Sequence, residues 1–275
     1  MSEKNEIRPG QSVELLKELH ILTRDGRMNQ DSRRKLKQVY HLYRFIEPIL
    51  QEIQEDHPDV QLVDVGAGKS YLGFILYDLF FKAQAGGAVV HGIETRAELV
   101  AKSRELAARL GFAGMRFLDR PMAEAGAAPE LPDRIDIVTA LHACNTATDD
   151  AIRFALTRRA PFIVLVPCCQ AEVAAVLRQH KARTLANPLA ELWRHPIHTR
   201  EFGSHVTNVL RCLQLQAHGY DVSVTELVGW EHSMKNELII ARQERRPGRV
   251  PADRLRALLT EFGLESLRDR FFVPD

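Results

Sequence analysis

Two hundred and seventy-five residues, 45% of them hydrophobic, suffice for one large domain with a real core and rule out a disordered chain. Lys and Arg number 37 against 36 Asp and Glu, so the net charge of +1 excludes a histone-like or membrane-surface field, and any polyanion site has to be local. The longest apolar stretches, Tyr71 to Phe81 and Pro161 to Cys169, fall well short of the ~20 residues of a bilayer span, and the charged start carries no apolar signal core. Four cysteines, two of them adjacent, make a poor disulfide framework, so a cytoplasmic protein without a membrane partner is expected.

Residues 1–57 read as a helical extension. Ser12 opens an apolar-periodic run to about Leu22, Arg24-Asp-Gly-Arg27 supplies a turn, and Asp31 or Ser32 caps a longer helix. Leu36, Val39, Tyr43, Ile46, Leu50 and Ile53 form one stripe of that helix, and Pro48 within it predicts a kink or a break. Arg33, Arg34, Lys35 and Lys37 begin the opposite face, whose bland reading is a solvated surface.

From Val60 the grain changes to short apolar runs alternating with helical stretches. Strands are expected at Gln61 to Val65, Val89 to Ile93, Met115 to Leu118, Ile135 to Leu141, Phe162 to Val166, Tyr220 to Leu227 and Glu237 to Ala241, with helices such as Ala97 to Leu110 and Asp149 to Arg159 between them. Such alternation predicts a doubly wound α/β sheet of parallel strands. Only Gly229 to Asn236 separates the last two strands, too little for a crossover, so the last strand should run antiparallel. Residues 58–243 would hold this Rossmann-like sheet, and residues 244–275 a tail that starts as a linker and ends in a helix over Pro251 to Phe262.

Asp64-Val-Gly-Ala-Gly-Lys-Ser70 stands between the first strand and an apolar helix. Glycines there let the backbone approach a ligand, and the helix amino terminus favours negative charge, which suits a nucleotide-like guest. Lys69, Ser70 and Tyr71 follow where a dinucleotide fingerprint would place its third glycine, and the spacing is not a P-loop either. The second strand ends in Glu94, placed to accept both hydroxyls of a ribose. The bland alternatives are a ligand-free tight turn for Gly66 and Gly68 and a surface acid or helix cap for Glu94.

Two further boxes follow strands four and five: Leu141-His-Ala-Cys-Asn-Thr-Ala-Thr-Asp149 and Val166-Pro-Cys-Cys-Gln170. Together with the glycine turn they resemble the class I S-adenosylmethionine (SAM) dependent methyltransferase domains related to tRNA acceptor-stem 2′-O-ribose methyltransferases and to methyltransferase-like proteins. The likeness covers roughly Leu36 to Gln243, with Gly66, Gly68, His142, Cys144, Ala147, Thr148, Asp149, Pro167, Cys168 and Cys169 matching by residue. Ser70 and Asn145 stand where the family usually has glycine, and no zinc-finger cysteine pattern precedes the domain. The resemblance implies SAM as cofactor, held by Asp64, Gly66, Ala67, Gly68, Lys69, Glu94, Asp119 and His142.

Methyl transfer from a sulfonium needs alignment and, for a hydroxyl acceptor, a base, for which His142, Asp149 and Glu231 are the candidates. Asp149 also reads as a simple helix cap, and His142 as a strand-end histidine satisfied by backbone. Cys168 joins the catalytic candidates through the covalent route of RNA cytosine-5 methyltransferases, although their acidic Pro-Cys partner box is missing. No C-x-x-C spacing exists, so no metal site is expected. The absence of an Asn/Asp-Pro-Pro-aromatic box disfavours an amino methylase.

Residues 178–211 look like an insertion serving as a substrate lid, basic, histidine-rich and interleaved with Trp193 and Phe202, a mixture suited to phosphate contact and base stacking. Arg194, His198, Arg200, Asn145 and Cys169 are the substrate candidates there and in the boxes, joined by Lys235 and Asn236 from the turn before the last strand. RNA, tRNA or rRNA, is the expected acceptor. A small-molecule or protein methyltransferase and a non-catalytic SAM- or RNA-binding scaffold are the alternatives.

Overall fold

The computed structural model describes residues 7–84, 86–126, 128–141, 143, 146–168, 170–179, 188–227, 237–244 and 248–271. The elements run α1 (Val13–Glu18), α2 (Gln30–Asp56), β1 (Gln61–Val65), α3 (Tyr71–Leu79), β2 (Val89–Glu94), α4 (Ala97–Arg109), β3 (Met115–Asp119) and α5 (Met122–Ala125). They continue as β4 (Ile137–Leu141), α6 (Ala147–Arg158), β5 (Phe162–Val166), α7 (Glu172–Gln179), α8 (Pro196–Ala217), β6 (Tyr220–Glu226), β7 (Glu237–Gln243) and α9 (Arg249–Glu261). The strands form one sheet in the order β3-β2-β1-β4-β5-β7-β6, all parallel except β7, which runs antiparallel to both of its neighbours. The expected sheet and its antiparallel last strand are therefore present, because apolar runs of five to seven residues separated by helix-length segments leave little other choice.

Helices α1 to α4 cover one face, where Leu15, Leu16, Leu36, Ile46 and Leu50 share a core with Leu62, Phe74, Val90 and Phe117. The amino-terminal extension is thus packed onto the sheet. Its entry is pinned by Asp78, buried in α3, which accepts from the Ser12 N–H at 3.0 Å and pairs with Lys82. The opposite face is covered by α5, α6 and α8, with Val63, Ile93, Val138, Ile152, Ala155, Ile163 and Leu215 in its core.

Three sequence expectations change. Helix α2 runs from Gln30 to Asp56 through Pro48, and its cap is Asn29, whose side chain accepts from the Ser32 N–H at 2.8 Å. Proline removes one intrahelical bond, but Leu36, Val39, Leu42, Tyr43, Ile46, Leu50 and Ile53 are all buried on one stripe, and that burial outweighs the lost bond. Nearly half of the expected lid, residues 196–211, belongs to α8, a 22-residue crossover helix that delivers β6 to the sheet. Trp193 and Phe202 are not interleaved with phosphate-binding residues on a surface: their rings stack at 5.3 Å, Trp193 is 1% exposed, and with Phe262, Leu255 and Leu259 they seal a third core between α7, α8 and α9. A large aromatic near basic residues gains more from burial than from waiting for a base.

The outer edge of β3 is closed by arginines. Arg116 donates to the carbonyls of Ala113 and Met115, and Arg104 to that of Phe117 at 2.7 Å. Those of Met115 and Phe117 are alternate carbonyls of the edge strand and that of Ala113 lies just before it, and capping them removes a template for strand addition.

Candidate active site

The carboxyl ends of β1, β2, β4 and β5 lie side by side, where a doubly wound sheet opens its ligand crevice. At the end of β1 the chain turns through Gly66 (φ 64°), Ala67, Gly68 (φ 57°) and Lys69 to Ser70 (φ 53°) before α3 begins. A Cβ built on Gly66 would lie 3.1 Å from the Ala143 Cβ, so the turn needs glycine both for its left-handed backbone and for its approach to the loop after β4. Lys69 is exposed. Ser70 occupies the left-handed region, which explains why glycine is usual in related turns; it is 1% exposed, and its Oγ has no hydrogen-bond partner among the described residues.

Asp64 points beneath this turn. It is 2% exposed, accepts from Thr139 Oγ1 at 2.8 Å and from the Gly73 N–H, and burial pushes its carboxyl up to about 7 against the pull of those two bonds. Its contribution at neutral pH is therefore as much to tie β1, β4 and α3 together beneath the turn as to present charge.

Glu94, at the end of β2, faces the turn directly. Its Oε2 accepts from the Gly68 N–H at 2.7 Å and from Arg96 Nη2 at 3.1 Å, while Oε1 accepts from the Thr95 and Arg96 N–H groups, from Thr95 Oγ1 and from Arg96 Nε at 2.9 Å. Burial alone would raise this carboxyl, but the Arg96 side chain, the Arg96 N–H and the Gly68 N–H together outweigh it and hold the group at about 2. Asp119 stands opposite Glu94 in the β2–β3 register, is exposed, and meets Arg104 at 4.0 Å.

The start of α6 carries the third part of the site. Thr148 Oγ1 donates to the Ala143 carbonyl at 2.6 Å, which fastens the loop after β4. Asp149 lies in the first turn of α6, beyond the Thr146 cap position, and its two oxygens are taken by Arg211 of α8: Nε to Oδ1 at 2.6 Å and Nη2 to Oδ2 at 2.9 Å. Both side chains are buried, at 5% and 0% exposure. With both oxygens engaged by one guanidinium fork, this geometry favours a positioning role over the expected base. Arg211 Nη1 reaches Asn208 Oδ1 at 3.4 Å, which also accepts from Gln170 Nε2 at 2.8 Å; the Asn208 amide then donates to Glu237 Oε2, and His205 Nδ1 lies 3.8 Å from Glu237 Oε1.

Cys168 is partly buried. Arg194, His198 and Arg200 are exposed at the start of α8 or just before it, with Arg194 paired to Glu191 and Arg200 to Glu201, each at 2.8 Å. His142, Asn145, Cys169, Glu231, Lys235 and Asn236 lie outside the described residues. Thr139, Arg96, Arg211, Asn208, Gln170 and Glu237 escaped the sequence reading. Among them, Asn208 and Arg211 lie three residues apart on one face of α8, in line with His205, a spacing that flags a polar stripe.

These residues fit the adenosyl cofactor that the motifs imply. A glycine turn shaped so that a Cβ would close it, a backbone-oriented carboxylate at the end of β2 and a fastened loop after β4 supply close approach, hydroxyl recognition and a third wall. Among solved structures the chain is similar to a Podospora anserina methyltransferase with bound SAH (12% identity, 86% of this chain and 89% of that one, TM-score 0.46). It is also similar to the magnesium protoporphyrin IX methyltransferase of Synechocystis PCC 6803 with bound SAH (15%, 85% and 96%, TM-score 0.44) and to an rRNA methylase from Streptococcus thermophilus (10%, 69% and 89%, TM-score 0.42). No curated protein sequence matches the chain. The profile of a methyltransferase domain matches residues 34–176, just over half of the chain, and the chain belongs to that family as a SAM-dependent methyltransferase.

Proposed function

We propose that this methyltransferase acts on RNA, with tRNA or rRNA as the acceptor. The observation that carries the reading is the exposed, arginine- and histidine-bearing start of α8. His205 and Asn208 already meet Glu237, the first residue of β7 and hence a marker of the carboxyl edge of the sheet. The helix begins nine residues earlier, at Pro196, and that first part packs on α7 and α9 through Gly203 and Phe202. This end exposes Arg194, His195, His198 and Arg200, donors for a phosphate once Arg194 and Arg200 exchange their Glu191 and Glu201 partners for it. With Trp193 and Phe202 in a core, this end offers phosphate contacts and no stacking platform of its own.

In this reading Gly66, Ala67 and Gly68 let the cofactor lie against the backbone, Glu94 receives the ribose hydroxyls, and the cofactor supplies an electrophilic methyl group. The Asp149–Arg211 clasp fixes the start of α6 against α8, so that the wall beside the cofactor and α8 keep one spacing. The proton of a hydroxyl acceptor falls to His142 or Glu231 rather than to Asp149. Nucleoside mass spectrometry of RNA from cells with and without the protein tests the reading: loss of one methylated nucleoside supports it. Unchanged RNA, with labelled methyl appearing in a small molecule or a protein, would replace it.

A further inference from the structure

The Glu94 carboxylate already receives six donors, whereas a carboxylate offers about four lone-pair positions. Three of the donors, the N–H groups of Gly68, Thr95 and Arg96, belong to the backbone and are fixed by the fold. Two more come from a single fork: Arg96 Nε to Oε1 at 2.9 Å and Nη2 to Oε2 at 3.1 Å. The guanidinium also reaches over the glycine turn, since a Cβ on Gly68 would lie 3.7 Å from Arg96 Nη2. A vicinal diol makes the same kind of approach, two donors side by side onto the two oxygens of one carboxylate.

We propose that Arg96 is an internal stand-in for the ribose diol, and that the cofactor gains Glu94 only by displacing the Arg96 fork. The inference rests on the assignment of Glu94 to the ribose. The backbone donors stay in place and keep the carboxylate ionised and aimed, while the Arg96 side chain, 58% exposed, has room to swing outward. The exchange replaces a cation by a neutral diol, so affinity for an adenosyl ligand is set partly by the strength of an intramolecular ion pair. Arg96 is thereby a residue that tunes cofactor affinity through competition, and the competition is specific to ligands that carry the diol.

Calorimetry with adenosine, which is uncharged and keeps the diol, separates this from other effects. A half-exposed ion pair is worth up to about 1 kcal/mol, so Arg96→Ala should bind adenosine about fivefold more tightly than the wild type. Arg96→Lys, which keeps the charge and loses the fork, should fall between the two and guards against a folding artefact in the alanine variant. Raising salt should strengthen adenosine binding to the wild type, by screening the internal pair, and leave Arg96→Ala unmoved. Binding of 2′,3′-dideoxyadenosine should not respond to the substitution. Weaker adenosine binding by Arg96→Ala, no change, or an equal gain for the dideoxy analogue would overturn the proposal while the cofactor site stands. A wild type that binds neither adenosine nor SAM would overturn the site and the proposal together.

Discussion

Replacing Arg211 by methionine tests the clasp between α6 and α8. The substitution roughly preserves the length of the side chain but removes both hydrogen bonds to Asp149, at 2.6 and 2.9 Å, in a place where the two side chains are 0% and 5% exposed. Water cannot replace the lost partner, so the native state must hold an uncompensated carboxylate or protonate it. Breaking a buried pair in this way costs about 3–5 kcal/mol, a large part of the ~5–15 kcal/mol that holds most domains together. Urea unfolding should show the loss as a lower midpoint at unchanged slope. The pair is held for geometry more than for stability, so Asp149→Leu with Arg211→Met should recover most of the loss. A single-variant loss under about 1 kcal/mol, or a double variant no better than the single, would refute the reasoning.

Ser70→Gly should stabilise the protein by about 1–3 kcal/mol, since relief of a left-handed non-glycine residue and of an unpartnered buried hydroxyl exceeds the extra chain entropy of glycine. Ser70→Ala, which keeps the strain, should gain less, and thermal melts of the pair separate the two contributions. Burial raises the Asp64 carboxyl to about 7, so the stability it contributes is complete below about pH 4 and is lost as pH rises through 7. Asp64→Asn should therefore flatten the stability profile over that window by about 2–4 kcal/mol, and parallel profiles for the two proteins would contradict the assignment. Trp193→Ala should cost about 3–5 kcal/mol of stability, and RNA affinity per folded molecule should hold; the reverse pattern would return Trp193 to the substrate surface.

The sheet was legible because its signal is local. Gln61–Val65 and Phe162–Val166 begin and end as expected, and the other strands differ by one or two residues, since apolar runs this short between helices fit one architecture. The glycine turn and Glu94 were legible for the same reason: their meaning depends on a few neighbouring residues. What the sequence hid depends on long-range pairing. Nothing near Asp149 announces that Arg211, 62 residues later, takes both of its oxygens, so the same carboxylate reads as a base or a cap until α8 is in place. The basic and aromatic mixture of residues 178–211 misled in the same way. Composition cannot separate a stacking platform from a core, and only the docking of α9 against Phe202 and Trp193 decides it. Of the kink or break expected at Pro48, the break did not occur, because a local penalty was weighed without the burial of the whole α2 stripe.

The central claim, that the turn after β1 cradles the adenosyl cofactor, is tested most directly by calorimetric titration of SAM into the wild type and into Gly66→Asp, each checked for native circular dichroism. Gly66 adopts φ 64°, and a Cβ there would press on Ala143 at 3.1 Å, so the variant should remain folded and show no measurable heat of SAM binding. A folded Gly66→Asp protein that binds SAM as tightly as the wild type would contradict the account.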